Sequence, residues 1–346
     1  MKVLIIGLGG IGQRHLRNLR ALLGKEAEII GQDPRPNPPV LTDQLQIEPG
    51  SSLLEKYNLP IYPDLEQALA QKPEIVFVCN PSSLHVPVAI QAAQAGCHLF
   101  IEKPLSNDFN RVDELIDLVE SRHLKAVVGY QMRFHPCIKR LHELVLEKKV
   151  GRILSVRAEV GEYMPGWHTY EDYRQIYAAR RDLGGGVILS QIHEFDYLYW
   201  LFGLPRSIYT LGGHMSNLEI DVEDTADTLM ECFLDGRPVP VTLHQDYLQR
   251  PQSRFCEVFG EAGKIRMDLK ELKVSVIDGQ GRQVESSSYE NFQRNQLFLD
   301  ELTGFLDSVQ GKVMPLVDLR AGAQSLRMAL AAKESLADGK VVKLTR

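Results

Sequence analysis

The chain has 346 residues, which at ~100–200 residues per domain predicts two domains. Acidic residues exceed basic ones, 45 to 39, and 44% of all residues are hydrophobic. That balance excludes non-specific binding to nucleic acid or an anionic membrane, and it excludes a disordered chain. No apolar run nears the ~20 residues that cross a bilayer, and the apolar opening is too short for a secretion signal, so a cytoplasmic location is expected.

Residues 2–6 form a β-type run that ends in Gly7-Leu8-Gly9-Gly10-Ile11-Gly12, with a helix then reaching about residue 23. A strand at 27–32 stops at Asp33. Residues 34–50 carry Pro34, Pro36, Pro38, Pro39 and Pro49, which neither a helix nor a central strand accepts, so a stiff surface loop is expected. Asp64 reads as the N-cap of a short helix over 65–71. Residues 74–79 are almost wholly apolar, as a strand buried on both faces should be. A helix then runs to Ala95 and stops at Gly96, followed by a strand at 98–101, a helix at 111–120 and a strand at 125–130. Repeated strand–helix units predict a doubly wound parallel sheet, an α/β domain over 1–124.

Further on the texture changes. Residues 152–161, 207–214, 225–234, 239–247, 255–261 and 273–277 read as strands, with helices at 187–202 and 294–310. Consecutive strands of this kind predict an α+β domain over 125–346, built on a large, mostly antiparallel open sheet. Cys79, Cys97, Cys137, Cys232 and Cys256 are far apart and match no zinc or redox spacing, so they are expected to be reduced and buried, with no metal site.

The glycine segment carries the first chemistry. Gly7 permits the tight turn out of the strand, Gly9 lets backbone approach a pyrophosphate, and Gly12 lets the helix pack close. The helix start offers free N–H groups and partial positive charge to phosphates. About 20 residues further on stands Asp33, where an acid grips a ribose hydroxyl. In this strand–turn–helix order the pattern predicts a dinucleotide-binding Rossmann domain, with Gly7, Leu8, Gly9, Gly10, Ile11, Gly12 and Asp33 at the cofactor. Asp33 favours NAD, because its charge repels a 2′-phosphate; Arg35 leaves NADP open.

Two more stretches carry a family resemblance. Cys79-Asn80-Pro81-Ser82-Ser83-Leu84-His85 is followed, one helix later, by Gly96-Cys97-His98-Leu99-Phe100-Ile101-Glu102-Lys103-Pro104-Leu105. With Tyr130-Gln131-Met132-Arg133-Phe134-His135-Pro136, and Gly184-Gly185-Gly186 ahead of His193 and Asp196, the chain resembles the Gfo/Idh/MocA oxidoreductases nearly end to end. The resemblance implies a Rossmann domain followed by an α+β domain whose open sheet joins subunits, here as a homodimer or homotetramer. It implies oxidation or reduction of a hydroxyl on a sugar, cyclitol or related small molecule. It further implies cofactor contacts at Asn80, Pro81, His85, Glu102, Lys103 and Arg133, with Lys103 beside nicotinamide and substrate and His193 moving the proton. Asp196 is a candidate to orient that imidazole. Many members carry an aspartate four residues before the histidine; this chain has Leu189 there, with Ser190 next to it.

The chemistry needs such groups. Taking a hydride from a carbinol leaves a proton on oxygen, which an imidazole near its ordinary pKa can remove, while a lysine stabilises developing negative charge. The segment 162–182 adds Tyr163, Trp167, His168, Tyr170, Tyr173, Tyr177, Arg180 and Arg181. Aromatic faces suit a sugar ring and arginines suit an anionic substituent, so Tyr163, Trp167, His168, Arg180 and Arg181 are expected to join Lys103 and His193 at the substrate. Two other readings stay open here: a glycosidase using transient oxidation and elimination, and a non-catalytic dinucleotide-binding sensor.

Overall fold

Short, apolar and wholly buried strands build the first half. A computed structural model describes residues 1–24, 26–167 and 170–344. In chain order come β1 (Lys2–Ile6), α1 (Gly10–Leu23), β2 (Glu28–Gln32), α2 (Leu53–Tyr57), β3 (Ile61–Tyr62), α3 (Leu65–Leu69), β4 (Ile75–Val78), α4 (His85–Gln94), β5 (His98–Glu102), α5 (Val112–Ser121) and β6 (Ala126–Gly129). The strands are parallel in the order β3-β2-β1-β4-β5-β6, so the order reverses beside β1. A doubly wound sheet opens a crevice at that reversal, over the carboxyl ends of its strands. Asp64 caps α3 as expected, its Oδ1 accepting from the Gln67 N–H at 2.9 Å.

The proline-rich loop is tied down rather than loose. Gln13 on α1 donates to the Pro39 carbonyl at 2.7 Å and accepts from the Leu41 N–H at 2.8 Å, and Val40 and Leu41 are buried.

The second half contains α6 (Pro136–Leu146), β7 (Ile153–Gly161), α7 (Val187–Ser190), α8 (His193–Phe202), β8 (Ser207–Gly213), β9 (Thr225–Leu234), β10 (Arg237–Asp246), β11 (Ser253–Gly260), β12 (Gly263–Asp268), β13 (Lys273–Asp278), β14 (Gln283–Ser288), α9 (Asn295–Val309), α10 (Leu319–Asp338) and β15 (Val342–Lys343). Its sheet runs β14-β13-β12-β11-β7-β10-β9-β8-β15 and is antiparallel except where β10 pairs with β7. Along β9, Ala226, Thr228, Met230 and Cys232 point inward, while Asp227, Leu229 and Glu231 point outward. One face therefore carries the helices and the other stays open. The five cysteines are all free and buried.

Two departures from the sequence reading matter. The helix expected over 187–202 is broken: Gln191, outside helical geometry at φ −100° and ψ 34°, separates α7 from α8. Gln191 is held from outside, donating to the Asp246 carbonyl at 2.9 Å while its own carbonyl accepts from Gln245 at 3.1 Å. The sequence reading also passed over β12 and β14; the long α10 is capped by Asp318 and ended by Gly339.

The two halves share a core. Leu302, Phe305 and Leu306 of α9 pack against Phe77 and Phe100 of the first sheet. Phe77 and Phe100 stack at 4.8 Å between centroids, and Phe305 meets them edge-on at 5.8 and 5.6 Å.

On the second sheet His244 lies between Asp227 at 2.8 Å and Asp246 at 2.9 Å. The hydrogen bond to Asp246, with Asp227 adding to it, raises its pKa to about 9. Because the folded value exceeds that of the free imidazole, ~6.5, this stabilisation is complete below the free value and is lost as pH rises through the folded one. Thermal melts should therefore show a larger deficit for His244→Leu at pH 6 than at pH 10. An equal deficit at both would mean that the bridge does not form.

Candidate active site

The glycine turn is shaped by close backbone approaches. Gly7 has φ +87°, and a Cβ there would meet the Cys79 carbonyl; a Cβ on Gly12 would run into the Gly7 carbonyl oxygen. At Gly9 the opposite holds, since nothing lies within 4 Å of where its Cβ would be. Gly9 brings no side chain to cap α1 and no acid lies in the first turn, while the Tyr170 hydroxyl meets the Gly10 backbone at the helix start. Leu45 and Tyr170 border Gly10.

Asp33 completes this end. It is buried, with Oδ2 accepting the Leu8 N–H at 2.9 Å and both oxygens held by the Arg35 guanidinium at 2.7 and 2.8 Å. Burial opposes its charge, but the bonds from Arg35 and from the Leu8 N–H outweigh it and hold the carboxyl below its usual range. The ionised acid thus stands ready under a half-exposed arginine.

At the ends of β4 and β5 the geometry tightens. Glu102 is buried, with Oε1 2.6 Å from Nε2 of His15 and Oε2 accepting the Lys103 N–H at 3.3 Å. Lys103 extends its Nζ to the Ser190 carbonyl at 2.8 Å, at the close of α7. Asn80 Oδ1 is buried and has no partner among the described residues. His85, expected against the cofactor, is instead sealed inside: its two ring nitrogens lie 2.8 Å from the carbonyls of Asn80 and Pro104.

His193 opens α8, three residues beyond the carbonyl that holds Lys103. It is buried, its Nδ1 has no partner among the described residues, and the Tyr130 ring meets it edge-on at 5.9 Å. Burial first, then the charges of Lys103, Arg254 and Arg294, push its pKa well below the ordinary imidazole value. A neutral imidazole and an ammonium are thus brought into one small volume.

The two carboxylates that follow are committed elsewhere. Glu194 binds Arg254 at 2.7 and 3.1 Å; Asp196 binds Arg133 at 2.7 and 2.9 Å and accepts from Ser325 at 2.9 Å. Glu194 and Asp196 are both fully buried. Asp196 therefore does not bond the imidazole, and Arg133 is not turned toward a cofactor; together they anchor α8. The Arg133 guanidinium also lies over Trp200, 5.5 Å from the ring centre.

The aromatic segment closes the second side only in part. Trp167 stands perpendicular to Tyr247 at 5.1 Å with its Nε1 buried and unpartnered among the described residues, and Arg250 covers Tyr163 at 3.8 Å. His168 lies outside the described residues. Arg180 and Arg181, expected to hold an anionic substituent, are occupied: Arg180 grips Asp182 at 2.7 and 3.0 Å, and Arg181 donates to the Asp221 carbonyl at 2.8 Å. Sequence reasoning missed His15, Tyr130, Glu194 and Arg254. His15, on the helix that the glycine turn opens, was within reach of a motif reading; Arg254 comes from a distant strand and had no local signal.

A parallel sheet with a glycine turn beside the reversal of its strand order, followed by a domain built on an open sheet, has the architecture of an NAD-binding oxidoreductase. Models of the oxidoreductase family match its NAD-binding Rossmann fold over residues 1–130 and its C-terminal alpha/beta domain over 142–344; the chain belongs to the Gfo/Idh/MocA family. It is 27% identical to myo-inositol 2-dehydrogenase of Thermotoga maritima, covering 99% of this chain and 98% of that protein. It is 24% identical to the 2,7-anhydro-N-acetylneuraminate hydratase of Mediterraneibacter gnavus across 50% of this chain and 46% of that one. Among solved structures, its fold is similar to the WlbA dehydrogenase of Bordetella pertussis in complex with NADH and UDP-GlcNAcA, with a TM-score of 0.80 and 22% identity, covering 100% of this chain and 99% of that one. No described helix is long and apolar enough to cross a membrane.

Removing one partner of a buried ion pair leaves the other charge uncompensated, at about 3–5 kcal/mol. Asp196→Ala should lose that much in a urea titration. Full stability combined with lost turnover would instead make Asp196 a reacting group.

Proposed function

We propose that this enzyme oxidises a ring hydroxyl of a sugar or cyclitol, or reduces the corresponding ketone, with Lys103 and His193 at the reacting oxygen. The observation that carries this reading is the Lys103 Nζ on the Ser190 carbonyl, close enough for its charge to act on the buried His193 ring, whose Nδ1 has no partner among the described residues. The acid-free start of α1 and the open space at Gly9 fit a pyrophosphate, and Asp33 with Arg35 fits the ribose beyond it. Asn80 Oδ1, buried and unpartnered, fits a polar group of the nicotinamide half. When bound, the nicotinamide supplies the hydride acceptor or donor.

The chain's own residues do the rest. The substrate oxygen would take over the donor that Lys103 now spends on Ser190, and the ammonium would stabilise negative charge on that oxygen in a site poor in water. His193, neutral at working pH, accepts the hydroxyl proton during oxidation and returns it during reduction. Ser190 contributes through its carbonyl by parking the lysine. Trp167 and Tyr163 offer faces to a sugar ring. The similarity to myo-inositol 2-dehydrogenase supports a polyhydroxylated ring as substrate. The outward face of the second sheet, with Leu211, Leu229 and Leu154 exposed, is where we expect copies of the chain to associate.

The similarity to a hydratase favours one second reading, in which oxidation is transient and water is added or lost with no net change in the cofactor. Following reduced nicotinamide absorbance over a panel of cyclitols, sugars and anhydro-sugars separates the two, because only the first accumulates NADH.

Lys103→Met and His193→Asn should each lower kcat by about 10²–10⁴ while NAD affinity measured by calorimetry stays within a factor of two or so. Unchanged turnover in either would end the reading. Because a depressed pKa keeps His193 neutral to lower pH, oxidation should lose rate to acid only below the ordinary imidazole range. An acid limb at or above ~6.5 would contradict that assignment.

A further inference from the structure

His85 makes two contacts that an ordinary neutral histidine cannot satisfy together. Its Nδ1 lies 2.8 Å from the Pro104 carbonyl oxygen and its Nε2 lies 2.8 Å from the Asn80 carbonyl oxygen. Carbonyl oxygens only accept, and a neutral imidazole carries one N–H. Both contacts are hydrogen bonds only if the ring carries two protons. With one proton, a nitrogen lone pair faces an oxygen lone pair in a place closed to water, since the ring is 1% exposed. One contact must then lengthen.

The two carbonyls belong to the loops that leave neighbouring strands, β4 and β5. One follows Lys103 directly; the other belongs to Asn80, whose side chain is the unpartnered one described above. We propose that His85 is a positioning residue: as an imidazolium it ties these two loops together and so fixes where Lys103 stands relative to Ser190 and His193. The inference rests on the catalytic reading of Lys103. The charged groups that act on the ring are Glu102, which favours the second proton, and Lys103, which opposes it. Burial opposes it most, so the ring releases that proton below the ordinary imidazole value. The tie is therefore closed in acid and loosens as pH rises through His85's own transition. Displacement of a reacting group by about 1 Å costs up to ~10²-fold in rate, so the loosening is read in kcat.

The test uses the full chain labelled with ¹⁵N-histidine, with two-bond proton–nitrogen spectra recorded from pH 4.5 to 8 and His85→Gln identifying the ring's signals. Both nitrogens should be protonated at the acid end, and one should lose its proton below the ordinary imidazole value. Lys103→Met should move that transition upward, because an opposing charge is gone. In kinetics, kcat should step down through the same transition in the wild type but not in His85→Gln, whose amide retains a donor that does not titrate, while KM for NAD stays level in both. A ring that holds a single proton at all these pH values overturns the proposal, as does a His85→Gln profile identical to the wild type. Full turnover in Lys103→Met overturns the catalytic reading instead, and the spectra tell the two failures apart.

Discussion

A charged lysine beside a dehydrated imidazole is an arrangement that a protein must hold by force. The ammonium of Lys103 lowers the proton affinity of His193, and burial does so more strongly, so both groups would separate if either backbone could move. The fold prevents this at the start of α8. Glu194 is locked to Arg254 on one flank and Asp196 to Arg133 on the other, so His193 stands between two buried ion pairs that reach into different elements. Such pairs contribute little to net stability when intact, but losing one partner strands a buried charge, so the two elements they join stay together. The kink at Gln191 serves the same end, because it turns the Ser190 carbonyl out of the helix ladder and toward the lysine.

On the other side of the cleft the site is built from strand ends. The crevice beside β1 exists because the strand order reverses there, and the glycine turn exists because two backbones come too close for any side chain at Gly12. Asp33 is held ionised by Arg35 and also by the Leu8 N–H, a bond it would keep if a ligand displaced the arginine. In the proposed reading, binding and chemistry fall to different halves of the chain and meet at Lys103.

Much of this was legible in the sequence, for identifiable reasons. The parallel domain announces itself through apolar runs at β1, β4 and β5 and through glycines that only a tight turn needs. Lys103 and His193 could be named from motif context. Their companions could not, because burial is not written locally: Asp196 and Arg133 both look like site residues until their oxygens and nitrogens are found facing each other. Arg180 and Arg181 likewise read as free cations, although Arg180 is paired with Asp182 and Arg181 is spent on the Asp221 carbonyl. The broken helix at 191 was hidden because the bonds that break it come from β10, far along the chain.

The aromatic stack that joins the halves has a consequence for biosynthesis. Phe77 and Phe100 leave the ribosome early, but the ring that covers them, Phe305, and its neighbours Leu302 and Leu306 emerge among the last turns of helix. While the intervening sheet is being translated, the nascent amino-terminal unit carries an oily flank with no native cover. Contacts this distant along the chain form slowly, and uncovered apolar surface of this kind is what molecular chaperones bind. A shortened product ending before α9 would keep every cofactor-binding motif and still be sticky, so this enzyme's solubility is decided near its carboxyl end.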